Sequence, residues 1–234
     1  IPRCYRAEAP QKGRLREFIQ WNVDCIGGDT PEARRQFDFE SLALVIDTLR
    51  EFGLASSDVK AHWNNRQLIE NLFSCGGVPP ERFAFGFFIL DRLTKLNPGE
   101  RAKAYADHGC TQAEMKFYEK LAAGEDPLTE SFWTGLPAET SSVHAYQESI
   151  RHFSRQLDAF LESAGMSGWA KYDAGIVRGL AYYTGFVFEI LDQNGSNRAC
   201  AGGGRYDKLI ELFGGPSLPA VGFGMGDVVL EIIL

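Results

Sequence analysis

The sequence predicts an α+β protein built on an antiparallel sheet, flanked by helices and carrying a helical insertion. Three observations point there. Strand-like segments stand near both ends, at residues 1–26 and 186–225. Two long helical periodicities lie between them, at 37–53 and 142–164. Residues 65–135 hold shorter helical patterns broken by Gly76-Gly77-Val78-Pro79-Pro80, Asn97-Pro98-Gly99 and Gly124-Glu125-Asp126-Pro127. Strands at the ends with helices between them argue against a regular βαβ array. The chain then divides into 1–64 and 136–234, two parts of one core, around an insertion at 65–135.

Each element has its own signal. Residues 1–8 read as a strand, and residues 9–14 as a turn punctuated by Pro10 and Gly13. Residues 17–26 read as a second strand. Phe18, Gln20, Asn22 and Asp24 share one face, and Ile19, Trp21, Val23 and Cys25 the other. One apolar face and one face of amides and acid suit a sheet that floors a polar site. Leu42, Val45, Ile46, Leu49 and Phe52 recur at helical spacing and predict the helix at 37–53, which Gly53 stops. A short strand follows at 59–63. Inside the insertion one helix carries Phe83, Phe87, Leu90 and Leu93. Thr111-Gln112-Ala113-Glu114 opens another with a capping-box pattern. Tyr146, Ile150, Phe153, Leu157, Phe160 and Leu161 line one face of the helix at 142–164. Strands return after Trp169: 186–191 and 198–201 form a hairpin across 192–197. A helix follows at 206–213, and a strand at 220–225 feeds a last helix from Asp227.

Composition narrows the function. Of 234 residues, 44% are hydrophobic and 24% charged, as in globular domains. No apolar run is long enough to span a membrane. A net charge of −7 argues against nucleic-acid binding over the whole surface and leaves room for a local basic patch. Cys4, Cys25, Cys75, Cys110 and Cys200 are odd in number and form no CxxC pair. Reduced thiols in a cytoplasmic protein fit better than a zinc knuckle or a disulfide framework. His144 and His152 are too far apart for the i,i+4 pair of a helical metal site.

Four constellations carry chemistry. Arg3, Arg6, Lys12, Arg14 and Arg16 crowd the first hairpin, where arginines can clamp a polyphosphate. A solvated basic hairpin has the same pattern, and spacing alone does not separate the two. Gln20 and Asp24 share a strand face and suit an ammonium group, or simply an exposed sheet face. Arg178 precedes Tyr182 and Tyr183, a pairing that fits a carboxylate beside a flat ring or, equally, a surface arginine beside core tyrosines. Gly202, Gly203 and Gly204, then Gly222, Gly224 and Gly226, allow a ligand or another backbone to approach closely. Gly222-Phe223-Gly224-Met225-Gly226 lacks the spacing and the following βαβ unit of a dinucleotide site. No Ser-His-Asp or Cys-His arrangement and no Walker loop stands out. The chain offers groups that position and neutralise, suited to a substrate that brings its own nucleophile.

These segments resemble a family. Residues 5–18, Tyr5-Arg6-Ala7-Glu8 through Glu17-Phe18, resemble motif 2 of histidyl-tRNA synthetases. Residues 178–185 and 201–207 resemble the two histidine-specific motifs, and residues 219–230 occupy the place of motif 3. The resemblance implies a class II synthetase sheet that activates L-histidine with ATP and Mg²⁺ and passes the histidyl group to tRNA(His). It implies catalytic roles for Arg6 and Arg178. ATP would be held by Arg6, Glu8, Arg14, Phe18, Gly224 and Gly226. Histidine would be held by Gln20, Asp24, Arg178, Tyr182, Tyr183, Tyr206 and Gly203. The Mg²⁺ ligand stays unassigned, and no tightly bound cofactor is expected. A cytoplasmic homodimer is implied too, joined through segments mostly outside this chain.

The sequence also departs from the family pattern. Val229 stands where motif 3 ends in an arginine on the γ-phosphate, so ATP binding relies more on Arg14 or is weakened. Asp24 stands where many members have Glu, and Ala181 where Asp is frequent. The chain starts inside motif 2 and stops where an anticodon-binding domain would begin. It therefore reads as a partial catalytic core, incomplete for aminoacylation alone. Two alternatives accompany this reading. One is a regulatory protein that binds histidine without aminoacylation, like the regulatory subunit of ATP phosphoribosyltransferase. The other is a synthetase-like sensor of uncharged tRNA.

Overall fold

A computed structural model describes every residue except Thr94, 179–181 and 195–197. The chain forms two compact units. Unit 1 comprises Ile1–Trp63, Ser154–Tyr172 and Tyr182–Leu234, and unit 2 comprises Asn64–Phe153 and Asp173–Ala181.

The α+β class holds. The strands are β1 (Arg3–Tyr5), β2 (Glu17–Ile26), β3 (Val59–Asn65), β4 (Ala170–Tyr172), β5 (Phe186–Asp192), β6 (Ala201–Arg205) and β7 (Ala220–Gly226). They form one seven-stranded sheet in the order β1-β2-β7-β6-β5-β3-β4. The pairs β1–β2, β2–β7, β7–β6 and β6–β5 are antiparallel. β3 and β4 run parallel, so the sheet is mixed where alternation alone predicted an antiparallel one. A long crossover separates β3 from β4, and parallel neighbours require such a connection.

Helix α1 (Pro31–Glu51) covers one face of the sheet in unit 1, with contacts to β2, β6 and β7. It begins six residues before the apolar repeat suggested, because Thr30 caps it by accepting from the Ala33 amide and Pro31 sits at its first position. Its buried stripe includes Phe39, Leu42, Val45, Ile46 and Leu49. Phe39 meets Phe186 at 6.4 Å and Phe160 at 5.6 Å between ring centroids. An ionic contact fastens the helix to the sheet. Arg205 Nε donates to Asp38 Oδ1 at 2.8 Å, and Arg205 Nη2 to the Arg34 carbonyl at 2.5 Å. Arg205 and Asp38 are both buried, so each satisfies a charge that would otherwise be stranded.

β6 is displaced from the predicted strand at 198–201 to Ala201–Arg205. Glycines weaken a strand signal, yet three of this strand's five residues are glycine and all five are buried. Neighbouring strands on both sides supply its hydrogen bonds. The predicted helix at 206–213 shrinks to α8 (Leu209–Leu212), and α9 (Asp227–Ile233) follows β7 directly.

Unit 2 is helical apart from the end of β3. It holds α2 (Arg66–Cys75), α3 (Phe83–Leu90), α4 (Pro98–Asp107), α5 (Gln112–Ala122) and α6 (Glu130–Trp133). The first part of α7 (Thr140–Ser163) also belongs to it. Its core is aromatic: Phe73, Phe117, Tyr118, Phe132 and Tyr146 are almost fully buried. The capping box on α5 is present, with Thr111 and Glu114 exchanging backbone and side-chain bonds. Arg101 makes two 2.8 Å bonds to Glu119, which also accepts from Tyr105. Among the described residues, no helix is long and apolar enough to cross a membrane.

Candidate active site

The strand registers set out a strip of small and polar residues on the sheet face opposite α1. Directly paired residues point to the same face. Asp24, Gly222, Gly204 and Val187 form one row across β2, β7, β6 and β5. Asn22, Gly224, Gly202 and Glu189 form the next row, and Gln20 with Gly226 the third. The strip thus has a nearly bare glycine floor with an amide–acid edge along β2. Asn22 and Asp24 are exposed and Gln20 is half-buried.

Three of the floor glycines, Gly222, Gly224 and Gly204, leave no room for a Cβ, whereas Gly226 is open. A Cβ on Gly222 would lie 2.5 Å from the Val23 carbonyl and 2.7 Å from the Tyr206 hydroxyl. On Gly224 it would lie 2.9 Å from Gln20 Cδ and 3.1 Å from Asn22 Oδ1. On Gly204 it would meet the Phe186 carbonyl at 2.6 Å and Tyr183 Cε1 at 2.9 Å. Gly203 differs from the others. It registers with Phe223, so it faces the apolar side, and a Cβ there would lie 2.7 Å from Phe223 Cβ. As a floor residue its expected place belongs to Gly202 and Gly204.

Tyrosines close one end of the strip. Tyr182 and Tyr183 lie 4.8 Å apart, with Tyr206 at 5.9 and 6.5 Å from them. The Tyr206 hydroxyl donates to Asp24 Oδ1, across Gly222. Burial first, and this bond second, push the Tyr206 phenol far above its ordinary value. Tyr206 therefore remains a donor, and Asp24 keeps its second oxygen for a ligand.

Arginines gather at the other end. The Arg6 guanidinium lies 3.8 Å from the Phe18 ring centroid, and the Arg6 amide donates to Arg16 O at 2.9 Å. Arg14 pairs with Glu8, while its Nε is buried with no partner. Gln11 and Arg14 exchange backbone bonds at 3.0 and 2.9 Å, which fixes the turn between β1 and β2. Burial first, then repulsion from Arg14 and, more weakly, Arg198, lowers the Arg6 guanidinium from its ordinary value, with Glu8 working the other way. The Asp24 and Phe18 positions are six residues apart on one strand, about 20 Å. A ligand with a ring at one end and anionic groups at the other fits that length.

The structure thus brings Arg6, Glu8, Arg14, Phe18, Gln20, Asp24, Tyr182, Tyr183, Tyr206, Gly224 and Gly226 to one strip or its two ends. Arg178 belongs to unit 2. Its φ of 48° is positive, the one such non-glycine value among the described residues. A non-glycine residue held there stores backbone strain, a frequent mark of functional segments. Ala181 lies outside the described residues. Sequence reading misses Glu189 as a strip residue, misses Arg198 and Gln11 at the arginine end, and gives Asn22 no binding role. Strand alternation places Asn22 on the polar face; Glu189 needs the register, and Gln11 and Arg198 the tertiary hydrogen bond between them. Among the described residues, no group of three or more His, Cys, Asp or Glu side chains is placed to hold a metal ion.

Comparison with known proteins gives one family. The histidyl-tRNA synthetase family profile matches residues 1–227. The chloroplastic/mitochondrial histidine–tRNA ligase of Arabidopsis thaliana is 34% identical over 234 residues, which is 100% of this chain and 45% of that protein. The histidine–tRNA ligase of Opitutus terrae is 36% identical over 242 residues, 100% of this chain and 52% of that protein. The crystal structure of histidyl-tRNA synthetase from Nostoc sp. PCC 7120 superposes with a TM-score of 0.69 at 19% identity, covering 100% of this chain and 54% of that one. An ATP phosphoribosyltransferase regulatory subunit/histidyl-tRNA synthetase from Bacillus halodurans gives 0.65 at 24%, covering 100% and 57%. At these identities the two structures support the fold alone. The chain spans about half the length of the curated relatives it matches.

Proposed function

We propose, from the fact that this chain belongs to the histidyl-tRNA synthetase family, that it carries the catalytic core of a histidine–tRNA ligase. The observation that carries the proposal is the polarity of the strip. A tyrosine-lined, acid-bearing end faces an arginine-bearing end along one glycine floor. L-Histidine has an ammonium group, a carboxylate and an aromatic heterocycle, and ATP has a base and three phosphates. Each finds a chemically matched partner.

In this reading Tyr182, Tyr183 and Tyr206 shape the imidazole slot, while Gln20 and Asp24 take the ammonium group. Arg6 bridges the histidine carboxylate and the α-phosphate. A carboxylate oxygen attacks the α-phosphorus, the bond to the bridging oxygen breaks, and pyrophosphate leaves. Arg178 offsets charge that builds on the phosphoryl oxygens in that transition state. Phe18 offers its ring to adenine, with Glu8 on the adenine side. The terminal ribose hydroxyl of tRNA(His) then attacks the adenylate carbonyl, and AMP leaves. Mg²⁺ enters with ATP as the substrate complex. Glu8 and Arg14 pair with each other in this structure, so nucleotide binding exchanges that ion pair for phosphate and base contacts. Gly224 and Gly226 leave room for the nucleotide. A cytoplasmic homodimer is part of the same proposal.

The arginine end favours the ligase over a protein that only senses histidine, because such a sensor needs no polyphosphate clamp. The test is aminoacylation by the full-length gene product, with radiolabelled histidine and tRNA(His). Acid-precipitable histidyl-tRNA is expected; histidine binding without charging would favour the regulatory alternative.

A further inference from the structure

Resting on the ligase reading, we infer that Arg198 supplies the outer-phosphate charge that α9 lacks at Val229, as a nucleotide-binding residue reaching in from the segment before β6.

Val229 cannot serve as a phosphate ligand. It is buried, and its Cγ2 lies 3.3 Å from the point where a Cβ on Gly13 would stand. The apolar side chain is the surface against which the arginine-bearing turn rests. Arg198 reaches the same turn from the segment before β6. Its Nη2 donates to Gln11 Oε1 at 2.6 Å, across 187 residues of sequence. Gln11 is itself locked to Arg14 by two backbone bonds. The segment after Arg198 is fixed at the root of α9, where the Gly226 amide donates to the Cys200 carbonyl at 3.0 Å. Arg198 therefore stands beside the turn and close in the fold to the helix that carries Val229.

The electrostatics agree with the geometry. Arg6 experiences repulsion from both Arg14 and Arg198, against attraction from Glu8. Glu8 is already paired with Arg14. Among the described residues Arg198 forms no ion pair, and its side chain is exposed on a neutral amide. Arg6 and Arg14 with one carboxylate between them, and Arg198 near enough to repel Arg6, make a site with surplus positive charge, and a polyphosphate is the matching ligand. A neutral partner such as Gln11 holds the guanidinium in place without cancelling its charge, so it remains available to phosphate oxygens.

The experiment uses the full-length gene product with Arg198→Ala, Arg198→Lys and Gln11→Ala. Titrations with MgATP, AMP and histidine are read beside histidine-dependent ATP–pyrophosphate exchange. Arg198→Ala should weaken MgATP and raise the KM for ATP about tenfold or more, as expected for losing one charge-assisted bond. AMP lacks the outer phosphates, so its affinity should hold, and so should that of histidine. Arg198→Lys should recover part of the loss, and Gln11→Ala should cost less than Arg198→Ala. Unchanged MgATP affinity in Arg198→Ala overturns the inference. So does an equal fall for MgATP, AMP and histidine, or a Gln11→Ala loss as large as that of Arg198→Ala, which would make Arg198 only a fastener of the turn. Wild-type protein that binds MgATP without exchange would sink the ligase reading while the Arg198 comparison still stands. Wild-type protein that binds no MgATP would overturn both.

Discussion

The Tyr206 hydroxyl donates to the Asp24 carboxylate across the bare backbone of Gly222. This bond joins the end of β6 to β2 over the intervening strand β7. It fixes the carboxylate at the tyrosine end and leaves one oxygen free for a cationic ligand. Tyr206→Phe should raise the KM for histidine about tenfold, the size of one hydrogen bond to a charged group, with kcat changed far less. Steady-state exchange kinetics check this. An unchanged KM would remove Tyr206 from the histidine end.

The floor is tightest at Gly222 and Gly224. Gly222→Ala would drive a methyl group against Val23 O, Tyr206 and Asp24, and Gly224→Ala against Gln20 and Asn22. Backbone crowds the Gly222 site, so Gly222→Ala should cost about 1–3 kcal/mol of stability, as overpacking does. At Gly224 the neighbours are side chains that can move, so Gly224→Ala should fold and lose ligand affinity instead. Denaturant melts beside histidine titrations separate the two outcomes.

How much of this was legible in the sequence follows from what each signal measures. Alternation of Phe18, Gln20, Asn22 and Asp24 with apolar residues is a local pattern, so the sequence alone defines β2 with its observed bounds. β6 was displaced, because a run of glycines carries no alternation and only its two neighbouring strands define it. The start of α1 was missed because its apolar stripe begins later than its cap at Thr30. The parallel β3–β4 pair has no local signal at all. In the candidate site, residue types alone point to a tyrosine–acid group and an arginine group. Arg198 escaped because its meaning depends on Gln11, 187 residues away.

Arg178 is held at a φ of 48°, and its proposed role is to offset transition-state charge. Arg178→Ala should abolish adenylate formation in single-turnover assays, a loss of about 100-fold or more, as for other removed charge-stabilising groups. Histidine affinity should fall only modestly. Unchanged exchange in this variant would refute the role.

Unit 2 carries a pH signature of its own. Two hydrogen bonds from Arg101, then one from Tyr105, hold the Glu119 carboxyl below its ordinary value. The ionised form is favoured in the folded state. Its contribution is therefore fully present above the unfolded value, about 4.3. It is lost as pH falls through the lower folded value. Glu119 is partly exposed, so solvent screening keeps the effect at about 0.5–1 kcal/mol. Glu119→Gln should reduce stability at pH 7 and flatten its fall below pH 4 in chemical melts.

Histidine-dependent ATP–pyrophosphate exchange by the full-length gene product tests the central claim most directly. The polar strip, read as a joint site for histidine and ATP, predicts exchange that requires histidine and Mg²⁺, is not supported by other amino acids, and disappears in Arg6→Ala. Histidine binding with no exchange, under conditions where MgATP also binds, would contradict it.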